Sequence, residues 1–187
     1  LQRSSQTDGR YEMHELIRQF AATKLNEAPT DKRATQLQHA TYYTTFLSHQ
    51  TSHLKNSERE KTVAAITADI DNIRVAWQQA ITQIDLNAIE NAAECLWLYY
   101  QTQAAFQEGA LAFQQAVRSL TQSKTTPMSP KQARLTSILL ASQGYLDASE
   151  GDTGYVALVE QGLSYLQQVK SPDKSAEAFV LMCLGYV

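Results

Sequence analysis

The stretch Leu139-Leu140-Ala141-Ser142-Gln143-Gly144-Tyr145-Leu146 returns as Val180-Leu181-Met182-Cys183-Leu184-Gly185-Tyr186-Val187, at a period of 41 residues. In both copies an apolar run closes on Gly-Tyr-aliphatic. Glycine inside a helix is about 1 kcal/mol less favourable than alanine. Its recurrence at one place in two helical runs therefore predicts a point where a neighbouring helix approaches too closely for a Cβ. After the first copy, Gly151-Asp152 predicts the turn and cap between the two helices of a pair.

Outward from that repeat the chain reads as nearly all helix. Seven Gly and four Pro in 187 residues are about half the usual share, and most fall between periodic segments. One helix is predicted over 57–81, where Val63, Ile66, Ile70, Ile73, Trp77 and Ile81 recur every three or four residues. Leu86, Ile89, Ala93, Leu96 and Tyr100 mark the next, with Asp85 placed to cap it. Phe106, Ala110, Phe113, Val117 and Leu120 mark a third, and the short break at 103–105 predicts an antiparallel hairpin. A turn-rich loop at 123–130 follows, with Pro130 suited to a first helical turn. Helices are then expected over 131–149, 153–169 and 172–187.

This pattern resembles tetratricopeptide repeats, helical hairpins with Gly in the first helix and a Gly-Asp turn, whose usual period is about 34. Val156, Glu160 and Leu163 stand where small and aromatic residues are usual, so the resemblance is to a divergent or lengthened repeat. It implies an all-α fold of antiparallel hairpins stacked as a right-handed superhelix. The apolar ending Leu184-Gly185-Tyr186-Val187 would leave a last face uncovered, which predicts further repeats in a longer protein. A start without Met, at Leu1-Gln2-Arg3-Ser4-Ser5, points the same way and carries no export signal.

Composition narrows the function classes. The mean hydropathy is −0.35, and no run approaches the roughly 18 apolar residues a membrane span needs. Residues 1–61 carry 9 basic and 7 acidic groups and the remainder 7 and 12, for a net charge of −3. That balance lacks the basic footprint of a nucleic-acid-binding region. Cys95 and Cys183 lie in apolar helical surroundings and read as buried thiols in a reducing, cytoplasmic setting.

Candidate chemistry is sparse. His49 and His53 stand one helical turn apart, a spacing that can hold zinc, but Gln50 occupies the place where a zincin would need its Glu. They read as exposed helix residues. Asp69, Asp71, Asn72 and Arg74 form a polar group in which Asp71 points away from Asp69, a poor arrangement for acid–base work. Their expected role is to tie this helix to the preceding one. Tyr42, Tyr43, Phe46, Trp77, Trp97, Tyr99, Tyr100, Phe106 and Phe113 follow helical periodicity and read mostly as core. Tyr99 and Tyr100 point in different directions, so one of them is the candidate to reach a concave surface and meet a partner. No phosphate loop, Gly-rich dinucleotide fingerprint or activated nucleophile is present in the sequence. No enzymatic activity, metal or bound cofactor is expected of this chain.

The segment Arg10-Tyr11-Glu12-Met13-His14-Glu15-Leu16-Ile17-Arg18-Gln19-Phe20-Ala21, read as the first helix-like segment, adds a second resemblance. It is similar to the end of the winged-helix part of bacterial STAND-class signal-transduction ATPases with an NB-ARC-type nucleotide-binding module. Asp69-Ile70-Asp71-Asn72-Ile73-Arg74-Val75-Ala76-Trp77, Leu96-Trp97-Leu98-Tyr99-Tyr100 and Phe106-Gln107-Glu108-Gly109 resemble that family's linker and first repeats, in the same order. The resemblance implies a winged-helix remnant at 1–29 and a helical-repeat domain at 30–187, with a further internal boundary open at 122–131. It also implies that His14 matches the histidine of the family's Met-His-Asp motif, which contacts ADP in the closed state; Glu15 replaces the usual Asp. ATP or ADP would then belong to the parent protein and not to this chain. The function implied is a sensor arm of an ATPase or transcriptional regulator that binds a partner protein or small-molecule inducer. The alternative is a free-standing scaffold for protein–protein interaction.

Overall fold

A computed structural model of the chain describes residues 2–3, 11–12, 14–122, 128–168 and 173–185. Of the expectations above, those on Arg10, Met13, the 123–127 part of the loop, the ends at 169 and 172, and the closing Tyr186 and Val187 lie outside the described residues. Contacts divide the chain into two units, Leu1–His39 and Ala40–Val187.

The first unit holds a two-residue antiparallel pairing, β1 (Gln2–Arg3) with β2 (Tyr11–Glu12), and helix α1 (Glu15–Glu27). The helix-like reading of 10–21 is thereby corrected at its start. Tyr11 and Glu12 are paired as strand, and the helix begins only after His14, whose backbone is extended at φ −58° and ψ 139°. No residue of α1 is buried, and Leu16, Ile17 and Phe20 stand exposed. Helix α2 (Pro29–Leu54) opens in this unit, and its first buried residue, Ala40, is also the first residue of the second.

All regular elements described in the second unit are helical: the rest of α2, then α3 (Arg59–Ala68), α4 (Ile70–Gln83), α5 (Leu86–Thr102), α6 (Phe106–Thr121), α7 (Pro130–Ser149), α8 (Tyr155–Gln167) and α9 (Lys174–Gly185). Each helix from α3 onward packs on its successor, and α4 on α6, α5 on α7 and α7 on α9 as well. The single helix expected over 57–81 is two helices. Asp69 separates them at φ −114°, outside the helical well, while its N–H donates to the carbonyls of Ile66 and Thr67. The apolar spacing runs through the break unchanged, with Ile66, Ile73, Trp77 and Ile81 buried. Periodicity therefore could not reveal it.

Three connections use one backbone device. Ile84, Ala104 and Gly151 adopt left-handed conformations at φ 54°, 51° and 87°. In each case the next N–H reaches back five residues: Asp85 to Ala80 (2.9 Å), Ala105 to Tyr100 (2.9 Å) and Asp152 to Asp147 (3.1 Å). This is the Schellman closure, which satisfies the helix's last carbonyls and turns the chain back. Of the helices after these turns, α5 starts on the capping side chain expected from the sequence, Asp85, which accepts from the N–H groups of Asn87 and Ala88, while α6 and α8 start without a side-chain cap; at α7 Ser129 accepts from Gln132 ahead of Pro130. Asp152 accepts from Gly154. Gln132 also donates to the Leu120 carbonyl at 2.8 Å, which ties α7 to α6 on either side of the loop.

A non-glycine residue in the left-handed well is strained by roughly 1–2 kcal/mol. Ala104 is exposed, so removing its methyl group sacrifices no packing. Ala104→Gly is therefore expected to raise stability by about 0.5–1 kcal/mol after the added freedom of the unfolded chain is subtracted. The check is a urea titration in which the midpoint rises and the slope stays constant. At Ile84 the same substitution gains nothing, because that side chain packs against the core.

Candidate functional site

The fold gathers one surface of mixed chemistry from α5, α7 and α9. On α5 the residues Glu90, Ala93, Glu94 and Trp97 share a face at helical spacing, and on α7 Arg134, Leu135, Ile138, Ser142 and Tyr145 do so. With Ser175, Ala176 and Phe179 of α9, all of these except Trp97 and Tyr145 line a cleft of about 230 Å³. Its floor is apolar, formed by Ala93, Leu135, Ile138, Ala176 and Phe179, and its rim carries Glu90, Glu94, Arg134 and the hydroxyls of Ser142 and Ser175.

An ionic strap crosses one end of the cleft. The Glu90 carboxylate accepts from Lys131 and Arg134, each at 2.6 Å, and Arg134 also donates to Asp173. Asp173 uses its other oxygen to accept from the N–H groups of Ser175 and Ala176, so one carboxylate starts α9 and fastens it to α7. Burial pushes the Glu90 carboxyl up, but the hydrogen bonds from Lys131 and Arg134 outweigh it and hold the group below its ordinary value. Asp173 is lowered by its bond from Arg134 and then by that from the Ala176 N–H. Both groups stay ionised at neutral pH.

At the other end lies an aromatic cluster. Trp97 meets Tyr145 and Phe179 edge-on, with ring centroids 5.2 and 5.3 Å apart, and Gln101 donates to the Tyr145 hydroxyl. The indole N–H of Trp97 is buried without a hydrogen-bond partner among the described residues. Beside the cleft, Lys55 after α2 places its ammonium on Glu94 at 2.5 Å, with both side chains more than half exposed.

The residues singled out from the sequence are distributed differently. Tyr99 and Tyr100 are both buried for the most part, at 6% and 3% exposure. The Tyr99 hydroxyl lies 3.1 Å from that of Thr67, and Tyr100 donates to Glu108 at 3.2 Å. Only the Tyr100 end borders a second groove, where Arg74, Trp77, Glu108 and Leu111 also line the wall. Arg74 bonds Asp71 on its own helix and Glu108 on α6, so within this polar group Arg74 ties α4 forward to α6.

His14 stands at the start of α1, where its Nδ1 accepts from the Leu16 N–H at 3.2 Å. The side chain acts there as an N-cap, a role usually filled by Ser, Thr, Asp or Asn. His49 is exposed on α2, whereas His53 faces Glu58 across the α2–α3 connection at 2.5 Å. Among the described residues no three His, Cys, Asp or Glu side chains are grouped to hold a metal ion, and no helix is long and apolar enough to cross a membrane. Cys95 and Cys183 are buried and unpaired, and burial pushes both thiols up to about 12. They are neutral at physiological pH and unsuited to nucleophilic attack. No protein-family profile, curated protein or solved structure matches the chain.

Proposed function

We propose that this chain is the non-catalytic regulatory arm of a STAND-class signal-transduction ATPase or transcriptional regulator, in which stacked hairpins form a tetratricopeptide-like right-handed superhelix. The observation that carries the reading is the contact pattern of α4 to α9, each helix touching its successor and several touching the next but one. The shared turn geometry at Ile84, Ala104 and Gly151 adds to it. A solenoid is built that way, and its working surface is a groove lined by every second helix. The α5, α7 and α9 cleft has this arrangement.

The link to an ATPase draws its support from the first unit. Helix α1 buries none of its residues and leaves Leu16, Ile17 and Phe20 exposed, as a helix would whose partner belongs to a neighbouring module. In the parent, the exposed His14 contacts ADP by resemblance, while in this chain it serves as a helix cap. Ligand binding in the groove shifts the parent between closed and open states through differential affinity.

Isothermal titration of ADP against this chain, and against a longer chain that adds the coding region upstream of Leu1, tests the proposal. Binding to the longer chain alone is expected, and His14→Ala in that chain should weaken it. A longer chain that takes up neither ATP nor ADP would leave the free-standing scaffold as the better reading.

A further inference from the structure

The cleft between α5, α7 and α9 differs from a small-molecule pocket in size and wall chemistry. At about 230 Å³ it falls below the roughly 300–1,000 Å³ of sites that enclose a drug-sized ligand. It suits one or two side chains entering from an extended chain. The floor is aliphatic and aromatic, with Ile138 and Phe179 only half-buried, so an apolar side chain would finish their burial.

The charges on the rim decide what accompanies that side chain. Glu90, Glu94 and Arg134 of the lining, together with Lys131 and Asp173 of the strap, sum to one net negative charge, which Lys55 balances. Both oxygens of Glu90 are occupied by Lys131 and Arg134, and Arg134 is held by Glu90 and Asp173. Glu94 is different: its partner Lys55 is an exposed lysine, and exposed pairs contribute only about 0–1 kcal/mol. That ammonium is exchangeable, and it already displays the chemistry that Glu94 accepts.

We propose that the cleft is a peptide groove that seats an apolar side chain on the Ile138 and Phe179 floor, with an adjoining lysine or arginine displacing Lys55 from Glu94. This deepens the regulatory-arm reading and rests on it for the identity of the working surface. It names the partner class as a basic-apolar segment of protein. An acidic segment would meet the Glu94 carboxylate with like charge, which disfavours it.

The probe is a short fluorescein-labelled glycine–serine peptide carrying one leucine followed by two lysines, titrated with the 187-residue chain and followed by anisotropy. Saturable binding is expected, with the glutamate-for-lysine version at least about tenfold weaker. Glu94→Gln should weaken the lysine peptide by about threefold to fivefold, and Lys55→Gln, which frees the carboxylate, should strengthen it by about twofold to fivefold. Phe179→Ala should weaken it by about tenfold. The opposite signs at Glu94 and Lys55 are the signature, since damage to the fold would weaken binding in both. Equal binding of the glutamate peptide, or indifference to both Glu94→Gln and Lys55→Gln, overturns the proposal. If no peptide binds while the upstream-extended chain takes up ADP, the peptide class falls and the regulatory arm stands. If the lysine peptide binds and the extended chain takes up no nucleotide, the reverse holds.

Discussion

Gly109→Ala is expected to lower the stability of the second unit by about 2 kcal/mol, a fall to be read from the urea midpoint. On helix propensity alone the change would stabilise, by about 1 kcal/mol. Packing reverses the sign. A Cβ built at Gly109 falls 2.8 Å from Leu146 Cδ1 and 2.9 Å from both Cβ and Cγ of Tyr100. Leu146 could rotate its terminal methyl aside, but the Tyr100 Cβ is fixed to the α5 backbone, so α5 and α6 must separate. Overpacking of that kind costs about 1–3 kcal/mol and exceeds the propensity gain. Separation would also pull the Tyr100 hydroxyl from Glu108, and with it the Arg74 link to α4. Gly185 supplies the contrast, since none of the described residues lies within 4 Å of a Cβ there. Gly185→Ala is accordingly neutral or slightly stabilising. A rise in the midpoint for Gly109→Ala would refute the close approach of α5 and α6.

The two repeat glycines separate what was legible in the sequence from what was not. At Gly144 the expected close approach is present, with a Cβ falling 3.1 Å from Val159 Cγ2 and 3.2 Å from the Tyr155 carbonyl on α8. At Gly185 no such neighbour is described, although the local sequence is nearly the same. Local pattern thus identified the kind of contact but could not supply its partner. The same division holds at the turns. Gly151 announces a left-handed residue, whereas Ile84 and Ala104 adopt the same conformation with no composition to mark it. There the turn is imposed by packing of the helices on either side, and local propensity is overridden.

The site was the least legible part, for a geometric reason. Glu90 and Arg134 are 44 positions apart in the chain, and Arg134 and Asp173 are 39 apart. Each comes from a different part of the chain, and each alone resembles an ordinary exposed charge. Only the packing of α7 against α5 and α9 brings them within 2.6 Å. The trace they leave is faint: carboxylates at Glu90 and Glu94 interrupt an otherwise apolar face of α5, opposite cations at Lys131 and Arg134 on α7. Tyr99 and Tyr100 drew attention as large aromatics, but the same size that marks a binding residue also marks a core one.

Trp97 gives two substitutions that the fold requires to behave very differently. The ring is 8% exposed and spans three helices, edge-on to Tyr145 of α7 and to Phe179 of α9. Trp97→Ala removes both contacts and leaves a cavity that these aromatics cannot fill by small shifts, a loss of about 3–5 kcal/mol. Trp97→Phe keeps a ring between the two neighbours but gives up part of its volume, which costs about 1–2 kcal/mol by the same reasoning. Against that loss stands the indole N–H, which is buried without an acceptor among the described residues. An orphaned buried donor is destabilising by roughly 1–3 kcal/mol, and phenylalanine abolishes it. The opposed terms nearly cancel, so Trp97→Phe should lie within about 1 kcal/mol of the parent chain. The Trp97→Ala midpoint in urea should be far lower, with Trp77 fluorescence still reporting a cooperative transition because that ring sits on α4 against Phe113. A Trp97→Phe chain as unstable as Trp97→Ala would mean that the indole N–H has found an acceptor. The aromatic end of the cleft would then be held by a hydrogen bond and not by ring packing alone.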